Sequence, residues 1–162
     1  MGARSSLVKS IICLLSCVDS GQVLERCQAF CFSEFWIFNN YDLPNLNVAN
    51  MPDLGFLYAS NLSLTSIDVS RNTKLTKLYT ALNDLTNLDV SNNAKLEILS
   101  TGQNKIKSID LSNNQKLKEI YLNQNQLSKL DLSAITDYTT VSTVTNPSLQ
   151  CVKVHSTVYA TS

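Results

Sequence analysis

The chain has little of what most functional classes depend on. Only 16% of its 162 residues are charged, below the roughly 25% usual for soluble proteins, and 13 basic side chains face 13 acidic ones. A neutral chain offers no basic face for nucleic acid, and it carries too much apolar material, 44%, to be a charged disordered tail. Four scattered glycines cannot form a phosphate-cradling loop. The single histidine, His155, lies near the end of the chain with no serine, cysteine or carboxylate partner fixed by spacing, so it reads as an exposed terminal side chain. Without a base held beside a nucleophile there is no catalytic set, and the chain reads as a non-enzyme with no cofactor and no metal. The apolar run from Ile11 to Val18 is too short to span a bilayer. What the sequence has in excess is 24 Leu, 17 Asn and 20 Ser. Asparagine is a poor helix former, so the leucines are not arranged in ordinary helices.

The two ends differ from the middle. Cys13, Cys17, Cys27 and Cys31 fall in the first 31 residues and Cys151 near the other end, with none between. An odd total argues against a closed disulfide framework. Residues 1–22 place Arg4 and Lys9 before the apolar run and polar residues after it, the layout of a short secretory signal. This predicts a secreted or cell-surface protein, and a cytoplasmic one if the segment is not a signal. Leu14-Leu15-Ser16-Cys17 resembles a bacterial lipoprotein box, which makes Cys17 the lipidation candidate and a lipid anchor the alternative to free secretion. Gly2 with Ser6 also fits the looser N-myristoylation pattern. The C-x3-C spacings lack the two-residue knuckle of zinc sites. Two helical turns, each with two small apolar residues on one face, account for them better, so if residues 1–22 are not removed, 1–35 are predicted to form an amphipathic N-terminal helical segment covering one end of the fold.

A 21-residue period organises the rest. Ile67-Asp68-Val69-Ser70 recurs as Leu88-Asp89-Val90-Ser91, Ile109-Asp110-Leu111-Ser112 and Leu130-Asp131-Leu132-Ser133. Leu46-Asn47-Val48-Ala49 is a weaker copy one period earlier, and Cys151-Val152-Lys153-Val154 keeps the alternation one period later without the aspartate. A second block runs in phase, with Leu75, Leu78, Asn83 and Leu85 repeated as Leu96, Leu99, Asn104 and Ile106 and as Leu117, Ile120, Asn125 and Leu127. Alternating apolar positions around the second leucine predict a short half-buried strand. Asn83, Asn104, Asn125 and Asn146 end these strands, and stacked units would align them as a structural asparagine ladder. Asp68, Ser70 and Asn72 and their copies are suited to satisfying backbone groups in a second turn. One unit buries little, so stability must come from stacking. The array gives 1–22 as the signal-like segment, 23–45 as a cap and partial repeat, 46–150 as five repeats, and 151–162 as a terminal strand, with the chain a fragment if relatives continue beyond it.

These residues resemble the leucine-rich repeat family, whose consensus L-x-x-L-x-L-x-x-N-x-L is matched by Leu75 to Leu85, Leu96 to Ile106 and Leu117 to Leu127. The fuller pattern is similar to the short repeats of secreted and surface proteins of Bacteroidetes-type bacteria, with some likeness to internalins. The likeness covers about residues 36–158. It departs at Asn61, one position early with Leu62 in the asparagine slot, and at Ser148, which stands where the last repeat leucine is expected. The resemblance implies an α/β solenoid dominated by strands: a right-handed coil with a parallel β-sheet on the concave face and mostly turns on the convex one.

Two features could carry chemistry. The row Asp68, Asp89, Asp110 and Asp131 could be read as paired carboxylates or calcium ligands, but its recurrence in every unit speaks for turn bonding. The outward strand positions are the better candidate: Phe56, Tyr58 and Ser60, then Lys77, Tyr79 and Ala81, then Ile98, Ser100 and Gly102, then Glu119, Tyr121 and Asn123. Parallel strands make Tyr58 and Tyr79 neighbours and set Tyr121 beyond Ser100. Tyrosine offers a large contact area with one polar end, so Phe56, Tyr58, Lys77, Tyr79, Ile98, Glu119, Tyr121 and Asn123 are the candidate ligand-binding residues of a monomeric module for protein or carbohydrate. The alternatives are a tyrosine scaffold with no ligand, and a structural or adhesin segment of a larger surface protein.

Overall fold

A computed structural model describes residues 10–12, 33–37 and 43–155. They form eleven short parallel strands: β1 (Ser10–Ile12), β2 (Glu34–Ile37), β3 (Asn45–Asn47), β4 (Phe56–Ala59), β5 (Ser66–Asp68), β6 (Lys77–Tyr79), β7 (Ile98–Ser100), β8 (Glu119–Tyr121), β9 (Lys129–Asp131), β10 (Thr140–Ser142) and β11 (Cys151–Lys153). Seven of them make one sheet in the order β1-β2-β4-β6-β7-β8-β10, and the pairs β3-β5 and β9-β11 make two small sheets elsewhere on the coil. No helix occurs among the described residues. The expected N-terminal helix is therefore corrected where residues 1–35 are described: Ser10–Ile12 and Glu34–Ile37 are strands, paired Ser10 with Glu34 and Ile12 with Trp36. The remainder of that segment, with Cys13, Cys17, Cys27 and Cys31, lies outside the described residues. The architecture is a parallel-strand solenoid rather than an α/β one.

Each coil closes by the same steps. In β2, β4, β6, β7 and β8 the residues Phe35, Leu57, Leu78, Leu99 and Ile120 point inward and are no more than 1% exposed, while Val141 in β10 is half-buried. The chain then passes a left-handed residue, at Asn61, Leu82, Gln103, Gln124 and Thr145, with φ of 54° to 60°. These positions are 21 residues apart and precede the asparagine slot by one. Asn61 is thus no displaced ladder residue; it occupies the left-handed slot, which asparagine tolerates better than most. Leu62 behind it fills the asparagine slot and is fully buried. Two four-residue turns complete the far side: Asn72 N–H donates to Val69 O and Leu75 N–H to Asn72 O, both at 3.0 Å, and Asn93, Leu96, Asn114 and Leu117 repeat the pattern.

Leucine supplies the core, and asparagine connects its layers. Asn83 Oδ1 accepts the N–H groups of Leu62 and Leu64 in the preceding coil at 3.0 Å each, while its Nδ2 donates to Ala59 O at 2.8 Å and Thr80 O at 3.0 Å. Asn104 likewise takes Leu85 N–H at 3.0 Å and gives to Thr80 O at 2.9 Å. Asn125 and Asn146 continue the series through Ile106 and Leu127. A second ladder runs along the opposite side. Asn72 Nδ2 donates to Val48 O at 2.9 Å and Met51 O at 2.8 Å, Asn93 Nδ2 to Val69 O and Asn72 O, and Asn114 Nδ2 to Val90 O and Asn93 O. The sequence suggests these residues serve their own turn; their amides instead bind the coil before.

The last coil departs from the 21-residue register. β11 pairs with β9 as Cys151 with Lys129, Val152 with Leu130 and Lys153 with Asp131, an offset of 22. The extra residue is absorbed at Pro147-Ser148, where Leu149 N–H closes a turn onto Asn146 O at 3.0 Å. Leu149, not Ser148, packs against the core, and Val152 rather than Cys151 stands in register with Leu130, though it remains exposed.

Because each ladder asparagine serves two coils, its loss should be felt beyond its own. Asn104→Ala strands the Leu85 N–H in the core, which costs about 1–3 kcal/mol, and takes from the Thr80 carbonyl one of its two amide donors, Asn83 Nδ2 remaining, which costs about 1 kcal/mol more. Urea unfolding should show a loss of about 2–4 kcal/mol with an unchanged slope. A loss under about 0.5 kcal/mol would mean that the ladder adds little to stability.

Candidate functional site

The outward face of the seven-stranded sheet is built by register. Glu34 pairs with Phe56, Phe56 with Lys77, Lys77 with Ile98 and Ile98 with Glu119, forming one row; Trp36, Tyr58, Tyr79, Ser100 and Tyr121 form the next. Inward leucines and outward polar or aromatic residues alternate because successive strand side chains leave opposite faces. Phe56, Tyr58, Ile98, Glu119, Tyr121 and Asn123 are half-buried, as is Tyr79, and Lys77 is exposed. All eight candidate residues lie on this face or at its margin. Ser60 and Gly102, expected to point outward, are instead buried, since the chain is already turning off the sheet.

Four aromatic rings meet across three strands. Trp36 lies 4.4 Å from Phe56 and stacks on Tyr58 at 5.6 Å, and Tyr79 stands 5.5 Å from Phe56 and stacks on Tyr58 at 5.8 Å. Their spacing is set by strand separation, and each pair adds roughly 0.5–1.5 kcal/mol beyond its buried area. Trp36, the only tryptophan, is the ring of this cluster that the 21-residue period misses. Its strand pairs with β4 at an offset of 22, Trp36 with Tyr58, so it drops out of phase. The signal was the alternation Glu34-Phe35-Trp36-Ile37, identical in form to Phe56-Leu57-Tyr58-Ala59.

The other end of the face is polar. Tyr121 Oη donates to Glu119 Oε2 at 3.0 Å. That bond, then burial, then the Glu119 charge, holds the Tyr121 phenol above its ordinary value. Burial first and Glu119 second push Tyr79 up as well. Between them Ser100 is small, and a Cβ on Gly102 would lie 2.6 Å from Asn123 Oδ1, so Asn123 needs that glycine to lean across β7.

The aspartate row stands away from this face. Asp68, Asp89, Asp110 and Asp131 each accept the N–H of the serine two residues on, at 2.8–2.9 Å. These serine bonds hold all four carboxyls below the usual range, and Asp131, which also takes a bond from Lys153, is lowered to about 2. No group of three or more metal-ligating side chains occurs among the described residues. His155 is half-buried rather than exposed, and Cys151 is an exposed free thiol. No helix among the described residues is long and apolar enough to cross a membrane. Cys17 lies outside them.

With stacked coils, an inward leucine column and an asparagine-tied sheet, the chain has the fold of the leucine-rich repeat proteins. The leucine-rich repeat domain of APL1B matches it with a TM-score of 0.59 at 18% identity, over 83% of this chain and 44% of that one. The functional domain of InlJ from Listeria monocytogenes, described as including a cysteine ladder, matches with a TM-score of 0.50 at 21% identity, over 75% and 37%. The chain thus spans less than half the length of either protein. No family model and no curated protein sequence matches it.

Two titrations test these electrostatics. The aspartate pKa values are depressed in the fold, so their contribution is complete above the unfolded value of 3.8 and is lost as pH falls through the folded values. The thermal midpoint should therefore drop from pH 4 towards 2, less steeply in Asp131→Asn, and identical slopes would contradict the serine bonds. In the second, Glu119→Gln should bring the Tyr79 and Tyr121 phenols down towards 10.0, read by absorbance at high pH. Unmoved phenols would place Glu119 elsewhere.

Proposed function

We propose that the chain is a non-catalytic protein-binding module that engages its partner through the outward sheet face, from Trp36 to Tyr121. The supporting observation is the continuous four-ring cluster of Trp36, Phe56, Tyr58 and Tyr79 on a rigid sheet. Interfaces draw most of their energy from a few aromatic anchors surrounded by smaller contacts, and parallel strands supply such anchors already ordered. Phe56, Tyr58, Lys77, Tyr79, Ile98, Glu119, Tyr121 and Asn123 are the contact residues, joined by Trp36. Residues 46–150 act as the repeat array. The chain works at the cell surface or outside the cell, with residues 1–22 as its export signal and Cys17 as the anchor point if it is lipidated. Protein is favoured over carbohydrate because stacked rings cover one another's faces, which a sugar needs bare.

A second reading, a structural segment of a longer surface protein, draws on one observation. The outer edge of β10 has no strand partner among the described residues, and Val144 beside it is 69% exposed. Such an edge accepts further coils.

The partner is to be selected with the full chain against a displayed library of extracellular proteins. Binding is then measured for Trp36→Ala with Tyr58→Ala, and for Thr86→Ala with Lys95→Ala on the far side. The face variant should bind at least about thirtyfold more weakly with an unchanged circular dichroism spectrum, and the far-side variant should bind normally. Equal affinity of the two variants would sink the assignment. Selection of glycans in place of proteins would move the reading to carbohydrate.

A further inference from the structure

The aromatic cluster stops at Tyr79, and the next strand is built differently. In the row Tyr58, Tyr79, Ser100, Tyr121, one small hydroxyl separates two rings. In the row beyond, Gly102 is buried, and the Asn123 side chain occupies the space a Cβ there would need. β7 therefore ends on the smallest outward side chain of its row, Ser100, and the residue two further on, Gly102, has none. A notch two strand spacings wide results, walled by Tyr79 and Tyr121 and floored by Ser100.

The walls are oriented. Tyr79 turns one face to Tyr58, 5.8 Å away with 29° between the planes, so its other face looks into the notch. Tyr121 is held by its bond to Glu119. Glu119 forms no ion pair among the described residues, and Ile98 separates it from Lys77 in the same row. On this half-buried face the Glu119 carboxylate is held by the Tyr121 phenol.

The width selects the guest. Two strand spacings are about 10 Å, so a group midway lies about 5 Å from each ring, inside the roughly 6 Å reach of a cation over an aromatic face. A flat aromatic guest touching both walls at about 3.5–4.0 Å would fill only about 7–8 Å and leave one wall unsatisfied. Charge points the same way, because the rings present negative faces and Glu119 adds a full negative charge.

We propose that this notch receives one positively charged side chain, arginine or lysine, of a protein partner, between Tyr79 and Tyr121 with Glu119 as counter-ion and the Asn123 carboxamide oxygen as a second acceptor. The proposal names the partner chemistry of one part of the sheet face and so rests on the binding reading above. The rise of both phenols beside Glu119 agrees with the negative potential there.

The test is a tyrosine-ring NMR titration of the full chain with the peptide acetyl-Gly-Arg-Gly-amide and its citrulline counterpart, which keeps the shape and loses the charge. The arginine peptide should shift the Tyr79 and Tyr121 rings saturably, and the citrulline peptide should bind at least about tenfold more weakly. Glu119→Gln should weaken arginine binding by about tenfold. Ser100→Tyr fills the notch with a ring that neighbouring strands already accommodate, and it should abolish the shifts. Trp36→Ala should leave them intact. Equal binding of the two peptides, absence of shifts, or undiminished binding by Ser100→Tyr overturns the proposal, as does methyl glucoside shifting the same rings when the arginine peptide does not. Neither peptide depends on the selected partner, so loss of capture at Trp36 and Tyr58 and failure here are separate results.

Discussion

Every layer of this molecule depends on one constraint: a coil of about twenty residues cannot bury enough surface to hold itself, so its backbone polar groups must be satisfied by the next coil. The main sheet does this on one side. Elsewhere the chain turns, and turns leave N–H and C=O groups facing the core, where each unpaired one is costly. Asparagine solves the problem because its carboxamide has both a donor and an acceptor in a short side chain. In Asn83 and Asn104 both ends are used, one accepting from the previous coil and one donating within and across coils. In Asn72, Asn93 and Asn114 only the donor end is used, and the three Oδ1 atoms are buried without a hydrogen-bond partner. The second ladder is therefore the less complete of the two.

The same stacking that makes the core also makes the surface. Register that aligns Leu57, Leu78, Leu99 and Ile120 inside must align Tyr58, Tyr79, Ser100 and Tyr121 outside. Rows of like residues arise without any side chain having to seek its neighbour. Little ordering entropy remains to be lost on binding, since the rings already constrain one another at 4.4–5.8 Å. Exposed ion pairs play a smaller part. Lys74 with Asp53 and Lys105 with Asp84 join adjacent coils at the surface, where such pairs are worth about 0–1 kcal/mol.

Much of this could be read from residue order, and two of the misses share a cause. A fixed period locates the strand leucines, Asn83 to Asn146 and the tyrosine row, because each follows from spacing alone. It fails wherever the spacing changes by one. Trp36 stands 22 residues before Tyr58, and Val152 stands 22 after Leu130, so both fall out of phase although their local alternation is intact. Asn72 shows a different limit. Its position in a turn is legible, but whether its amide reaches its own turn or the coil before depends on how coils stack. The N-terminal strands were hidden by small apolar residues at C-x3-C spacing, which a helix and a strand accommodate equally well.

The outward face is also where the repeat is free to vary. Phe56, Lys77, Ile98 and Glu119 occupy one row and range from apolar to either sign of charge, while the inward row beside them is Leu57, Leu78, Leu99 and Ile120. The core fixes one residue in two and leaves the other free to vary. Asn123 over Gly102 is the exception, because two positions just past the ends of β7 and β8 are coupled by space. A side chain at 102 larger than hydrogen would displace Asn123 and narrow the gap beside Ser100. Such a coupling is not needed to hold the sheet, which tolerates Ala81 at the preceding equivalent position. It keeps this stretch of the face open, so the shape of the notch is fixed by the pair rather than by the repeat.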